Sequence, residues 1–166
     1  MTKKKVEKPD RKINKPGNSV GKQRQALYAK AYTRIDEAIK QGFFLEAITI
    51  EESIITDRLE ARVAWLSEQT QREFRNLGPL VQILKGNDKN KKIRESDPDM
   101  QGLLLKIDKW RIQRNEALHE LVKFPDDVDE KCWEDFYSKT KNVAEEGKTL
   151  SRKVSNCVQK LNKKKP

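Results

Sequence analysis

The stretch FYSKTKNVAEEGKTLSRKVSNCVQKL, from Phe136 to Leu161, decides the fold class. Phe136, Val143, Gly147, Leu150, Val154, Cys157 and Leu161 recur in it at steps of three, four or seven residues. A helix turns once in about 3.6 residues, so these positions form one narrow seam. A half-buried strand would alternate apolar and polar residues, and no segment of the chain alternates for long enough to argue for one. The spacing predicts a long helix that begins in the acid-rich Asp126–Glu130 segment and runs to about Leu161. Such a seam is buried only against other helices.

Upstream, the same period continues. Asp97-Pro98-Asp99 is a helix start, with proline in the first turn and acids near the positive end of the helix dipole. Leu103, Ile107, Trp110, Ala117, Leu118 and Leu121 mark the apolar face of a helix running to about Val122, which Phe124-Pro125 breaks. The polar segment Asn87–Asp97 reads as a loop carrying Lys89, Lys91, Lys92 and Arg94. A short helix is predicted from near Pro79 to a stop at Gly86. Phe44, Ala47, Ile48, Ile54, Ile55, Leu59, Val63 and Leu66 give a helix to about Gln69. Most of its charges (Glu51, Glu52, Asp57, Arg58, Arg62) are expected to face solvent or to pair at helical spacing, with one or two beside the preceding-to-last helix. Leu27, Tyr28, Ala31, Ile35, Ala38 and Ile39 give a first helix from Lys22, stopped by Gly42. The expected fold is all-α, an up-and-down bundle of four long helices plus one short helix over residues 22–161. Residues 1–21 read as a flexible basic tail and 162–166 as a basic C-terminal tail.

Composition narrows the partners. The 166 residues suffice for one domain with a real core. The net charge of +10 favours polyanions, and RNA, DNA or an acidic membrane surface all meet that description. Nine Lys or Arg and two acids lie between Lys3 and Arg24, and Lys163, Lys164 and Lys165 close the chain. Such ends add phosphate affinity that falls with salt and selects no sequence. Cys132 and Cys157 lack metal-ligand spacing, and with one histidine a zinc site has too few ligands, so no metal and no cofactor are expected. Both cysteines read as reduced core thiols. No apolar run approaches membrane-spanning length and no signal core stands at the N-terminus, so a cytoplasmic protein is expected.

The single histidine focuses the question of function. It closes Arg114-Asn115-Glu116-Ala117-Leu118-His119 on the penultimate long helix. Histidine titrates near neutral pH, and arginine is a permanent, forked cation. Together on a rigid element they are minimal equipment for cleaving an RNA phosphodiester without a metal. Arg114 falls on the stripe of Ile107, Trp110 and Leu121, where an arginine snorkels, is buried with a partner, or meets another protein. His119 lies about 140° further round the helix.

Arg114-Asn115-x-x-x-His119 resembles the Arg-x4-6-His signature of HEPN domains. These are helical bundles often found in toxin–antitoxin, abortive-infection and CRISPR-associated systems. Asn115 stands where the family commonly carries a polar residue, and the motif lies in a late helix, as in the family. The resemblance implies metal-independent endoribonuclease activity from a homodimer whose two motifs line a shared basic cleft. Arg114 would bind the scissile phosphate, His119 would act as general base or acid, and Asn115 would orient the site. It implies RNA as substrate and, as partners, a second copy of the chain and an antitoxin or larger defence complex. One toxin subgroup carries a tyrosine two residues after the histidine as the target of its antitoxin; this chain has Leu121 there. Lys89, Lys91, Lys92, Arg94 and Lys163–Lys165 are weaker candidates for RNA contact. The alternatives are a non-catalytic RNA-binding or adaptor bundle, and a purely structural helical partner.

Overall fold

The computed structural model describes residues 19–68, 74–87, 93–120 and 130–163, with side chains from residue 23 onward. The described residues form five helices and no strand: α1 (Ser19–Gln41), α2 (Phe44–Leu66), α3 (Leu77–Lys85), α4 (Pro98–Glu120) and α5 (Glu130–Leu161). This is the all-α bundle expected, with four long helices and one short. Residues 1–18 of the expected basic tail, Leu121 and the Phe124-Pro125 break lie outside the described residues, while α1 begins at Ser19, ahead of the Lys22 start expected and within the segment 1–21 read as tail.

Local chemistry sets the helix ends. Gly42 closes α1 at φ +82°, a left-handed conformation that costs glycine nothing, while Phe43 N–H bonds back to the Ala38 carbonyl at 2.8 Å. α2 therefore starts two residues later and must run back along α1. Helix α3 begins at Leu77, ahead of the Pro79 start expected, because Pro79 falls within the first turn, where its missing N–H removes no helical bond. Gly86 ends it at φ +78°. At α4, Asp97 Oδ1 accepts from Met100 N–H at 3.0 Å and caps the first turn.

α2 and α5 form the centre of the bundle, with α4 on α5, α1 on α2, and α3 bridging α2 and α4. Ile35 of α1, Ile48, Ile55 and Leu59 of α2, Leu80 and Leu84 of α3, Leu104, Ile107 and Trp110 of α4, and Val154 of α5 are all at or near zero exposure. The Trp110 indole N–H donates to the Val143 carbonyl at 2.9 Å, tying α4 to α5 in the interior.

The α2 charges depart from the expectation of a solvated face. Glu51 and Arg62 are buried, because α2 is covered by α1, α3 and α5 and has no fully solvated side. Arg62 donates twice to Glu95 of the 93–97 segment, at 2.6 and 3.0 Å, and once to Asn162 Oδ1 at 3.1 Å. Glu95 also accepts the backbone N–H groups of Ser96 and Asp97, each at 3.0 Å. A loop charge thus locks α2, α4 and the end of α5 together. Cys157 is partly buried against the core, but Cys132 is exposed, since residues 130–135 of α5 are exposed throughout.

Candidate functional site

Helix α4 carries the motif and presents its residues in two directions. Arg114 follows Trp110 by one turn, so it stays on the inward flank. Its side chain is 14% exposed, and one guanidinium nitrogen, Nη2, donates to the Glu52 carboxylate of α2. Its Nε is buried and has no hydrogen-bond partner among the described residues. Glu52 is one of the five α2 charges of which one or two were expected beside the motif helix; sequence could not single it out because 62 positions separate the partners.

His119 is exposed and Asn115, one turn before it, is partly buried. His119 shares the outward face of α4 with Leu105 (64% exposed) and Ile112 (50% exposed), at intervals of seven residues. Glu116 and Glu120, on either side of it along the helix, face Lys139 of α5 at 3.9 and 2.6 Å. Within one chain, then, Arg114 is turned towards α2 and His119 towards solvent.

The remaining candidates separate by end of the bundle. Trp110 beside Val143 and Glu120 beside Lys139 show that α4 and α5 run antiparallel. His119 therefore lies at the end where α5 begins. Arg94 packs its stem against Gly86, near the start of α4, and Lys163 follows the end of α5. Both belong to the end opposite His119. Lys89, Lys91, Lys92, Lys164 and Lys165 fall outside the described residues.

Three features were not singled out in the sequence. Glu51, at zero exposure, has no hydrogen-bond partner on either carboxylate oxygen among the described residues and lies against Gly147, which Trp110 also approaches. Burial pushes its carboxyl up to about 9, with Lys148 acting weakly in the other direction. At the α1–α2 turn, Phe43, Trp133 and Tyr137 are exposed around a cavity of about 350 Å³ floored by Phe44 and Phe136. The third is a cavity of about 190 Å³ that opens beside Glu52 and is lined by Ser53, Thr56, Phe74, Arg75 and Asn76. Among the described residues no group of three or more His, Cys, Asp or Glu is placed to hold a metal ion, and no helix is long and apolar enough to cross a membrane.

No protein-family model, no curated protein and no solved structure matches the chain.

Proposed function

We propose that this protein is a HEPN-type, metal-independent endoribonuclease that acts as a homodimer through Arg114, Asn115 and His119. The observation that carries the reading is the exposed His119 on a rigid helix face shared with exposed Leu105 and Ile112. An exposed apolar stripe running into the only histidine is the kind of surface a second copy covers. One histidine cannot take a proton and give one in a single concerted step, and a two-fold interface supplies the second.

In this mechanism one His119 takes the proton of a ribose 2′-hydroxyl. The 2′-oxygen attacks the adjacent phosphorus, the bond to the 5′-oxygen breaks, and the second copy's His119 protonates that leaving oxygen. Arg114 stabilises the charge that builds on the phosphoryl oxygens through its guanidinium, of which Nη2 is the nitrogen that donates to Glu52. Asn115, one turn from His119, orients the site. The products are a 2′,3′-cyclic phosphate and a free 5′-hydroxyl, and DNA is left intact because it lacks the attacking group. A cytoplasmic toxin or defence effector, held in check by an antitoxin or larger complex, is the setting this activity fits.

A second reading has one observation in its favour. Arg114 is already paired with Glu52 and turned away from His119 within the chain. A non-catalytic RNA-binding or adaptor bundle needs no cooperation between the two residues. The discriminating experiment is incubation of end-labelled RNA and matched DNA with the purified chain in EDTA. The nuclease gives RNA fragments ending in cyclic phosphate and no DNA fragments; bound but uncut RNA favours the adaptor.

A further inference from the structure

The proposed reaction needs Arg114 as a cation, and the chain pairs it with a carboxylate. Arg114 follows Trp110 by one turn, and the bond from the Trp110 indole to the Val143 carbonyl fixes that part of α4 against α5. The root of Arg114 is therefore held, and only its side chain has room to move. That side chain is drawn over α2 to Glu52. His119 lies five residues on, about 7.5 Å further along the axis and about 140° round it. Within one chain, a phosphate beside His119 and a guanidinium on Glu52 stand on different sides of α4.

Charge points the same way. A guanidinium and a carboxylate in contact carry no net charge, so a phosphodiester approaching Arg114 gains little until Glu52 lets go. The contact also lacks the form of a positioning contact. Glu95 grips Arg62 through two nitrogens, Nε and Nη2, and so fixes the plane of the guanidinium. Glu52 meets Arg114 through Nη2 alone, and one hydrogen bond leaves the group able to turn about it.

Release costs little. Glu52 is 29% exposed and stands in the wall of the 190 Å³ cavity, so its carboxylate is solvated once Arg114 leaves. Glu95, at zero exposure, has no such outlet. A phosphodiester offers two non-bridging oxygens to the guanidinium fork, where Glu52 engages one nitrogen. Exchange of one anion for the other is therefore favoured.

We propose that Glu52 is a latch on the nuclease site. In the chain without RNA it keeps Arg114 neutralised and turned from His119, and the scissile phosphate displaces it when RNA binds. Glu52 then regulates the site through Arg114 and touches neither ribose nor phosphate. The proposal rests on the ribonuclease reading for its ligand, an RNA phosphodiester. The latch is read by binding as well as by cleavage, so the two can fail separately.

The experiment compares the parent, Glu52→Gln, Arg114→Ala and the double variant as full chains in EDTA. Cleavage is followed on end-labelled RNA, and binding by fluorescence anisotropy of a labelled 2′-O-methyl oligouridine, which cannot be cut by 2′-attack. Glutamine keeps the length of glutamate and removes its charge. Glu52→Gln should lower KM and tighten oligouridine binding, each about three- to fivefold, the scale of one exposed ion pair, with kcat within about twofold. The gain in binding should vanish in the Arg114→Ala background. Glu37→Gln on α1 removes the same charge from an exposed pair with Arg34 and should stay within about twofold of the parent. Glu52→Ala should repeat the gain, and circular dichroism checks that each variant is folded. A fall in kcat or weaker binding in Glu52→Gln makes Glu52 a support of Arg114 and overturns the latch. Unchanged KM and affinity overturn it too, as does a gain that survives Arg114→Ala or is matched by Glu37→Gln. A parent that cuts no RNA, with a Glu52→Gln gain in binding that needs Arg114, rejects the nuclease and leaves the latch standing.

Discussion

Two arginines of this bundle meet glutamates, and the pairs differ in how completely they are closed. Arg62 and Glu95 are 5% and 0% exposed, bound bidentately, and the guanidinium also packs 4.6 Å from the centre of the Trp65 ring. Asn162 and two backbone N–H groups occupy the remaining sites. Arg114 and Glu52 are 14% and 29% exposed, joined through one guanidinium nitrogen, with Nε unpaired among the described residues and a cavity beside the carboxylate. A fully satisfied buried pair fixes geometry, and its partners cannot leave without stranding a charge. An under-satisfied pair at a cavity edge can exchange its carboxylate for a phosphate. The same two residue types therefore form a closed strut in one place and an incompletely satisfied pair at a cavity edge in the other.

The largest expected effect separates the pairs by stability. Arg62→Ala strands the buried Glu95 carboxylate and should cost about 3–5 kcal/mol, a fall in Tm of roughly 10 °C. Arg114→Ala should cost under about 1 kcal/mol, because Glu52 keeps access to water. Thermal unfolding of both variants checks this, and equal losses would erase the distinction between the closed strut and the incompletely satisfied pair.

Next in size is Gly147. A Cβ there would stand 2.1 Å from Glu51 Oε2 and 2.8 Å from Trp110 Cζ2, too close for either to remain in place. Gly147→Ala should destabilise by about 2 kcal/mol, and Glu51→Ala in the same chain should recover part of that loss. A Gly147→Ala chain that melts with the parent would mean the Glu51 carboxyl is not lodged against α5.

A further effect depends on pH and contrasts two buried carboxyls. Burial also pushes Glu95 up, but Arg62 and the N–H groups of Asp97 and Ser96 outweigh it and leave its carboxyl below the usual range. The stability it supplies is present above the unfolded value of 4.5 and is lost as pH falls through its lowered folded value. Glu51 is the reverse. Its folded value near 9 exceeds the unfolded 4.5, so between them the folded chain holds a proton the unfolded chain has released. Stability from Glu51 is full below 4.5 and declines as pH rises towards 9. Glu51→Gln should remove this decline, so its Tm relative to the parent should climb between about pH 5 and pH 9. A pH-independent difference would show that Glu51 has found a partner.

The fold was legible because it rests on local signals. The α5 seam, Gly42, Gly86 and Asp97-Pro98 each act within a few residues, and each marks a helix or its end as read. α3 starts at Leu77, two residues before the Pro79 near which it was expected, because proline is tolerated within a first turn. The α2 charges were misread for a different reason. Amphipathic reading assumes one solvated face, and a central helix has none, so Glu51 and Arg62 turned inward. Which charge meets which is set by tertiary contact across long separations, as with Arg62 and Asn162, 100 positions apart. At the motif, sequence gave the roughly 140° between Arg114 and His119 but not the carboxylate that faces the arginine. Leu27, 65% exposed, was read as an ordinary apolar position of the first helix, since exposure of a single apolar residue leaves no periodic signature.

The most direct measurement is the rate of RNA cleavage in EDTA by the parent, Arg114→Ala and His119→Ala chains, each confirmed folded. A composite Arg–His site requires measurable cleavage by the parent and a fall of at least about a hundredfold in each variant, the scale of losing one acid–base or charge-stabilising group. Parent-like cleavage by either variant would contradict it.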